Sequence, residues 1–208
     1  MKRQPKSTQV IEPKARAIIF GHGRGWVFTP RDLTQLGDPR SVGMALTRLS
    51  RKGVIRQLAR GLYDFPIDHP TLGRVAASAD AVAKALVSRD SVRLQPAGAY
   101  AANVLGLSDQ VPMKVVFLTD GASRRVKLGQ REIILKHTTP RNVATAGRKS
   151  GTVIQALRHL GQHHADDKVL AILRRQINAD DKVQLLKDLK YAPAWVANIL
   201  QRIAAKTP

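Results

Sequence analysis

The chain contains no cysteine, few aromatic residues and few acids. Without cysteine it can form no disulfide, no thiolate nucleophile and no cysteine-type zinc site. Phe, Trp and Tyr make up only 4% of the 208 residues, which is too few to supply a base-stacking surface for single strands. The sequence also lacks both an apolar run of about 18 residues and the apolar core of a secretory signal, so we expect a soluble, cytoplasmic protein.

The scarcity of acids leaves a large excess of positive charge. Lys and Arg total 35 against 15 Asp and Glu, a formal net charge of +20, and the pI is near 11.2. Residues 1–65 carry +9, residues 66–160 carry +8, and residues 161–208 carry only +3. Such a balance predicts a polyanionic partner, either a nucleic acid or an anionic membrane surface, that binds the first two thirds of the chain.

Residues 29–65 contain the order of signals typical of a winged helix-turn-helix. Thr29 and Pro30 begin one helix, and the run Gly37-Asp38-Pro39 ends it. A second helix is predicted over Arg40–Lys52, with Gly53 at its end and a buried stripe formed by Val42, Ala45, Leu46 and Leu49. Two strands, 54–58 and 62–65, follow on either side of the turn Ala59-Arg60-Gly61, which makes this hairpin the candidate wing. Duplex DNA is therefore the first partner to consider.

The rest of the chain predicts a second, mixed domain. Pro66–Thr71 reads as a linker, which gives a DNA-binding domain at 1–66 and a C-terminal domain at 71–208. In the latter we expect helices at 74–88 and 96–105, a strand at 91–94, and three strands at 114–118, 123–128 and 131–136 forming an antiparallel meander. Helices close the chain at 152–160, 166–177, 180–189 and 194–204. The fold class is therefore α+β, a winged helix-turn-helix followed by a small antiparallel sheet and C-terminal helices.

Two motifs and this architecture give a family resemblance. The helix run ALTRLSRKGVI (Ala45–Ile55), the turn RGLYDFP (Arg60–Pro66) and a second domain of basic strands and terminal helices resemble the AbiEi-type antitoxins of bacterial toxin–antitoxin operons. The resemblance implies a repressor of its own operon that neutralises a nucleotidyltransferase-like toxin. It implies no enzymatic activity and no cofactor. The alternatives are a stand-alone winged-helix transcriptional regulator and an RNA-binding accessory protein.

The candidate DNA-binding residues follow from groove geometry. The major groove admits one helix, and arginine bonds guanine bidentately while small hydroxyl side chains reach other base edges. The predicted base-reading set is Arg40, Ser41, Met44, Thr47 and Arg48, and the predicted phosphate contacts are Arg31, Arg51 and Lys52. Arg56 and Arg60 belong to the wing, and Lys2, Arg3 and Lys6 form either a DNA-binding arm or a solubilising tail. A solvated basic helix face is the alternative for the whole set.

A second basic surface is predicted on the strands of the C-terminal domain. Its members are Arg124, Arg125, Lys127 and Arg131, with Val126 and Leu128 alternating between the cations so that one side of the strand can pack. Three uses compete for this surface. They are nonspecific DNA contact, binding of an RNA or nucleotide, and a solvated face.

Other constellations favour structural roles. Gly21–Gly25 follows a helix and precedes a strand, the reverse of the order in phosphate-binding loops. His159 and His163 have a metal-like spacing that Gly161 interrupts, so no metal site is expected. The acidic pairs 166–167 and 180–181 suit helix caps better than metal-ion catalysis. Trp195 fits a core position better than a partner contact.

Overall fold

The computed structural model describes residues 7–87 and 92–205, and it is a mixed α+β structure. The chain divides into two compact units, Met1–Ser88 and Arg89–Pro208. Within the described residues no helix is both long and apolar enough to cross a membrane.

The first unit combines three α-helices with short antiparallel strands. Its elements are α1 (Ser7–His22), β1 (Val27–Phe28), a 3-10 helix (Pro30–Leu36), α2 (Pro39–Arg51), β2 (Arg56–Ala59), β3 (Leu62–Asp64), β4 (Asp68–His69), β5 (Gly73–Arg74) and α3 (Ala79–Leu86). Strands β1, β3 and β2 form an antiparallel sheet in that order, and β4 pairs with β5 alone. The helix predicted at 40–52 and the strands predicted at 54–58 and 62–65 are confirmed, and their bounds differ from the observed ones by no more than two residues.

The core of the first unit lies between α1, α2 and the three-stranded sheet. Fully buried side chains come from each of these elements, from the 3-10 helix and from the segment before β2, and they include Ile19, Phe28, Leu33, Leu46 and Ile55. Full burial of such a side chain stabilises the fold by roughly 1.5–3 kcal/mol. This packing fixes the position of α2, because its apolar stripe packs in one cluster with α1 and the 3-10 helix.

The expected linker 66–71 lies within the first unit and is ordered. Asp68 and His69 form β4, and the guanidinium of Arg24 donates to the Pro66 carbonyl at 2.8 Å and to Asp68 at 2.6 Å. The predicted domain boundary at 66–71 therefore differs from the division after Ser88. The helix expected at 74–88 is also shorter, because Arg74 belongs to β5 and Ser78 caps α3 by accepting from the Ala81 amide.

The second unit contains a four-stranded sheet followed by helices. Its elements are β6 (Leu94–Ala97), α4 (Gly98–Val104), β7 (Lys114–Thr119), β8 (Arg124–Leu128), β9 (Arg131–His137), a 3-10 helix (Pro140–Val143), α5 (Lys149–Leu160), a 3-10 turn (Gln162–His164), α6 (Asp167–Gln176), α7 (Ala179–Lys187), a 3-10 turn (Leu189–Tyr191) and α8 (Ala194–Ala204). The strand expected at 91–94 is displaced to 94–97, and its first residue, Ser91, lies outside the described residues. Pro96 consequently belongs to β6, and the helix predicted from residue 96 begins at Gly98.

The sheet of the second unit is mixed, so the expected antiparallel meander is wrong. The strand order is β6-β7-β9-β8, and β7 runs parallel to β9 with Val115 opposite Ile133. Strand β8 turns back through Gly129, whose φ is +61°, and pairs antiparallel with β9 at one side of the sheet. The three strands were predicted from local alternation, which does not determine which strands become neighbours.

The C-terminal helices surround a second core. Leu157, Leu173, Leu185 and Leu200 are fully buried there, and Trp195 packs against them at its edge, so the core position predicted for Trp195 is confirmed. Asp166 caps α6 by accepting from the Val169 amide at 2.9 Å. The cap of α7 is Asn178, which accepts from the Asp181 amide at 2.8 Å, so the second acidic pair lies in the first turn.

Candidate nucleic-acid interface

Helix α2 begins at a well-formed cap. The carboxylate of Asp38 accepts from the backbone amides of Arg40 at 3.1 Å and Ser41 at 3.0 Å, and Pro39 occupies the first helical position. These are the residue types that favour a helix N-terminus. The hydrogen bonds from the Ser41 hydroxyl and amide, with that from the Arg40 amide, lower the pKa of Asp38 below its usual value.

The opposite side of α2 presents a basic face to solvent. Its members are spaced i, i+4, i+7, i+8 and i+11, which places them on one side of a 3.6-residue helix. All five are exposed, namely Arg40, Met44, Thr47, Arg48 and Arg51. Within the described part of the chain none of the three arginines forms an ion pair. We call these five residues the α2 face; it is supported from behind by the buried stripe of Val42, Ala45, Leu46 and Leu49.

A glycine interrupts the side chains along this helix. Gly43 lies one turn after Arg40, and a methyl group built on it would meet no atom within 4 Å. Its carbonyl accepts a hydrogen bond of 2.9 Å from the Thr47 hydroxyl. The helix backbone is therefore open at this point, and a ligand can approach it more closely than a side chain would allow.

Ser41 does not belong to the α2 face, which corrects the prediction that it reads bases. Its residue exposure is 7%, and both its hydroxyl and its amide bond Asp38 inside the cap. The i+1 step from Arg40 rotates Ser41 by about 100° toward the core. Ser41 therefore stabilises the start of α2, and its buried side chain is not available to contact bases in a DNA groove.

Arg56, which was predicted to belong to the wing, has a structural role in the hairpin. Its guanidinium donates to both carboxylate oxygens of Asp64, at 3.1 and 2.6 Å, and to the Val75 carbonyl at 2.9 Å. Asp64 is 1% exposed, so its charge needs this partner. The pair joins β2 to β3 and engages three of the five guanidinium N–H groups, so Arg56 is held in the hairpin, whereas Arg60 is exposed.

The remaining predicted cations fall into three groups. Arg31 and Arg60 are exposed, and Arg60 lies at the tip of the β2–β3 hairpin beside Gly61, whose φ of +71° the turn requires. Lys52 is exposed as well, but its ammonium pairs with Glu12 on α1. Lys2, Arg3 and Lys6 lie outside the described residues.

The second basic surface predicted on the strands is split by the sheet. Cross-strand partners share a face, and Arg125 and Lys127 stand opposite Ile134 and Glu132 on one face. Arg124 and Arg131 lie on the other face, with Leu135 and Leu128 as their respective partners. The four residues therefore do not form one patch.

Two lysines that the sequence reading missed complete one of these faces. Lys114 on β7 stands opposite Glu132, and Lys136 on β9 stands opposite Leu118, both on the face of Arg125 and Lys127. Both lysines are exposed. Their alternation along each strand was visible in the sequence, but only the parallel register of β7 and β9 places Lys114 in the row of Lys127, with Lys136 two rows away beside Leu118.

The histidines and acidic pairs take structural positions. Within the described residues no group of three or more His, Asp or Glu side chains could hold a metal ion. The ring of His164 hydrogen-bonds the Leu160 carbonyl at the end of α5. Gly21 still belongs to α1, and Gly23 and Gly25, with positive φ angles, connect α1 to β1.

The chain belongs to a family of unknown function, DUF6088, whose model matches residues 14–185. Among solved structures it is similar to the RV2827C protein from Mycobacterium tuberculosis, with a TM-score of 0.45 and 18% sequence identity. The match covers 99% of this chain and 80% of that chain. The search of curated proteins found no match.

Proposed function

We propose that this member of the DUF6088 family is a sequence-specific, double-stranded DNA-binding regulator whose first unit is a winged helix-turn-helix. In this proposal α2 enters the major groove, and the hairpin of β2 and β3 is the wing. The observation that carries the proposal is the α2 face, where three arginines without ion-pair partners among the described residues, a threonine and a methionine are displayed on a helix anchored from behind.

The order and size of the elements support this proposal. A helix, a short strand, a 3-10 helix, α2 and a two-stranded hairpin follow one another, and β1 pairs with the second strand of the hairpin. In a helix-turn-helix the second helix lies in the major groove and the preceding one crosses the backbone. In that arrangement Arg31, which precedes α2, and Arg60, at the hairpin tip, contact phosphates on either side of the groove.

We further propose that the protein is the antitoxin and autorepressor of a toxin–antitoxin operon, as its resemblance to the AbiEi-type antitoxins implies. The support is the pairing of a basic helix in the first unit with a separately packed second unit. The second unit then neutralises the toxin. Co-expression of the chain with the product of the neighbouring gene tests this role, because an antitoxin restores growth that the toxin alone arrests.

The DNA-binding proposal is tested by separating base reading from phosphate contact on α2. Arg48→Ala should lower the affinity for the operator by about 1–3 kcal/mol and lower the affinity for random duplex less. Arg51→Ala should weaken both about equally, because a phosphate contact carries no sequence information. Fluorescence anisotropy on duplexes enriched from a random pool measures both. If Arg48→Ala weakened both duplexes equally, α2 would not read bases through this residue.

A further inference from the structure

The four-stranded sheet has two unlike faces. On one face Val115, Phe117, Ile133 and Leu135 are at most 1% exposed, and they form part of the core of the second unit. On the other face Val116, Leu118 and Ile134 are only half-buried. Half of the strand side chains on β7 and β9 are therefore left accessible at the surface.

The register places these apolar residues between cations. The parallel and antiparallel pairings align Lys114, Glu132 and Lys127 in one row, and Val116, Ile134 and Arg125 in the next. Leu118 and Lys136 form a third row. We call the eight residues of these rows the open sheet face. On β6 two of these rows continue through Ala97 and Gln95, which are buried, so the face is covered along this margin. The centre of the open sheet face is apolar, and its other margins are basic.

The charge of the open sheet face is strongly positive. Four cations, Lys114, Arg125, Lys127 and Lys136, stand against one carboxylate, Glu132, which gives a formal charge of +3. Glu132 lies 3.3 Å from the Nε of Arg125 and neutralises that group in part. Within the described residues the three lysines have no carboxylate partner, so their charge is available to a ligand.

The composition of the open sheet face favours a protein partner over single-stranded RNA or a second copy of this chain. A half-buried apolar centre bordered by charged side chains is the anatomy of a protein–protein interface. The eight residues include no aromatic side chain, so single-stranded RNA would find no base-stacking platform there. A second copy of this chain would bring like charge against the rim, because its net charge is +20.

We propose that the open sheet face binds an acidic protein partner. Carboxylates of the partner pair with Lys114, Lys127 and Lys136, and an apolar side chain of the partner packs on Val116, Leu118 and Ile134. The proposal deepens the antitoxin role and rests on it, because it identifies the partner as a toxin with an acidic surface and direct contact as the mode of neutralisation.

The test uses the full chain and the purified product of the neighbouring gene in the operon. In the double variant Lys127→Glu/Lys136→Glu, two exposed cations of the rim are reversed, and the affinity for that protein should fall at least about tenfold. Arg124→Glu is the matched control. It makes the same charge reversal as Lys127→Glu alone, on the same strand β8 but on the opposite face, so its affinity should stay within about twofold of the parent chain. Titration calorimetry measures binding, and thermal unfolding verifies that each variant is folded.

The outcomes separate this inference from the proposed function. If the parent chain rescues growth and the double variant binds and rescues equally well, the open sheet face is not the partner site while the antitoxin role stands. Equal losses for the double variant and for Arg124→Glu would also overturn the site. If the parent chain neither binds the neighbouring protein nor rescues growth, both the site and the antitoxin role fail. Binding of a 20-nucleotide RNA that the double variant alone abolishes would replace the protein partner by a nucleic acid.

Discussion

Gly43 stands in the middle of α2 although neither its backbone conformation nor its packing requires a glycine. Its φ is negative, and an added methyl group would meet no atom. A glycine in a helix interior costs roughly 0.5–1 kcal/mol relative to alanine. In the described part of the first unit no packing contact at Gly43 offsets this cost, whereas close approach of the α2 backbone to DNA would.

Gly43→Ala should therefore change stability and binding in opposite directions. The free energy of unfolding should rise by about 0.4–1 kcal/mol, because alanine reduces the entropy of the unfolded chain. Operator affinity should fall, because the methyl group holds the helix away from the groove. Urea unfolding and anisotropy measure the two quantities.

Gly21→Ala is the matched control, since Gly21 is also helical and also open, but it lies on α1 away from the α2 face. This variant should be stabilised without loss of DNA affinity. If both variants bound the operator as tightly as the parent chain, the glycine would have no part in recognition.

At the scale of elements, Gly151 is the contrasting case. It lies in the first turn of α5, and a Cβ there would overlap Gln95 Oε1 and lie 2.5 Å from the Thr145 carbonyl oxygen. Nearby, Asp188 accepts from Ser150 Oγ at 2.5 Å and Arg148 at 2.7 Å. These contacts join the start of α5 to β6 and to the end of α7.

Gly151→Ala should destabilise the second unit. Because the overlap involves backbone and a buried side chain, relief requires a shift of β6 or α5, and we expect a loss of about 1–3 kcal/mol or more. Urea unfolding followed by circular dichroism gives the free energy. Gly43→Ala is the control for the intrinsic helix preference of alanine. A stabilised Gly151→Ala chain would contradict the packing described for this junction.

The cap of α2 predicts a pH dependence. The pKa of Asp38 is lower in the folded chain because of its hydrogen bonds from Ser41 and Arg40. Its stabilising effect is therefore fully present above the unfolded-state value of about 4, and it is lost as the pH falls through the lower folded-state pKa.

Asp38→Asn isolates this effect, because asparagine caps helices but does not titrate. The difference in free energy of unfolding between the parent chain and Asp38→Asn should favour the parent chain most at pH 5–6 and shrink toward about pH 2. Chemical unfolding at a series of pH values measures it. A difference that stays constant over this range would show that the Asp38 carboxylate does not stabilise the cap through its charge.

The elements that depend on local pattern could be predicted from the sequence. Helix α8 has the expected bounds, and β7, β8 and β9 differ by no more than one residue at either end. Pairing could not be predicted, because the insertion of β9 beside β7 depends on contacts distant in sequence. Arg124 and Arg125 lie on opposite faces because adjacent residues of a strand alternate, a separation that the sequence already contained. The ion pair of Arg56 with Asp64 depends on the cross-strand register of the hairpin.

At the scale of the whole molecule, charge is concentrated where the proposed partners bind. Residues 1–65 carry +9 and residues 66–160 carry +8 of the net +20. In the first unit Arg31, Arg40, Arg48, Arg51 and Arg60 are all exposed. Phosphate neutralisation by such groups releases counterions, so affinity for any duplex should fall with salt, and only base contacts preserve a preference at physiological salt.

The central claim is that the α2 face recognises a DNA sequence. The most direct measurement is a titration of the full chain on the promoter duplex of its own gene and on a shuffled duplex of equal length and composition, at about 0.15 M salt. The account predicts at least about 10³-fold tighter binding to the promoter, in the range typical of specific over nonspecific complexes. It also predicts that Arg48→Ala reduces this ratio more than Arg51→Ala does. Equal affinity for the two duplexes would contradict the claim and reduce the α2 face to a nonspecific basic surface.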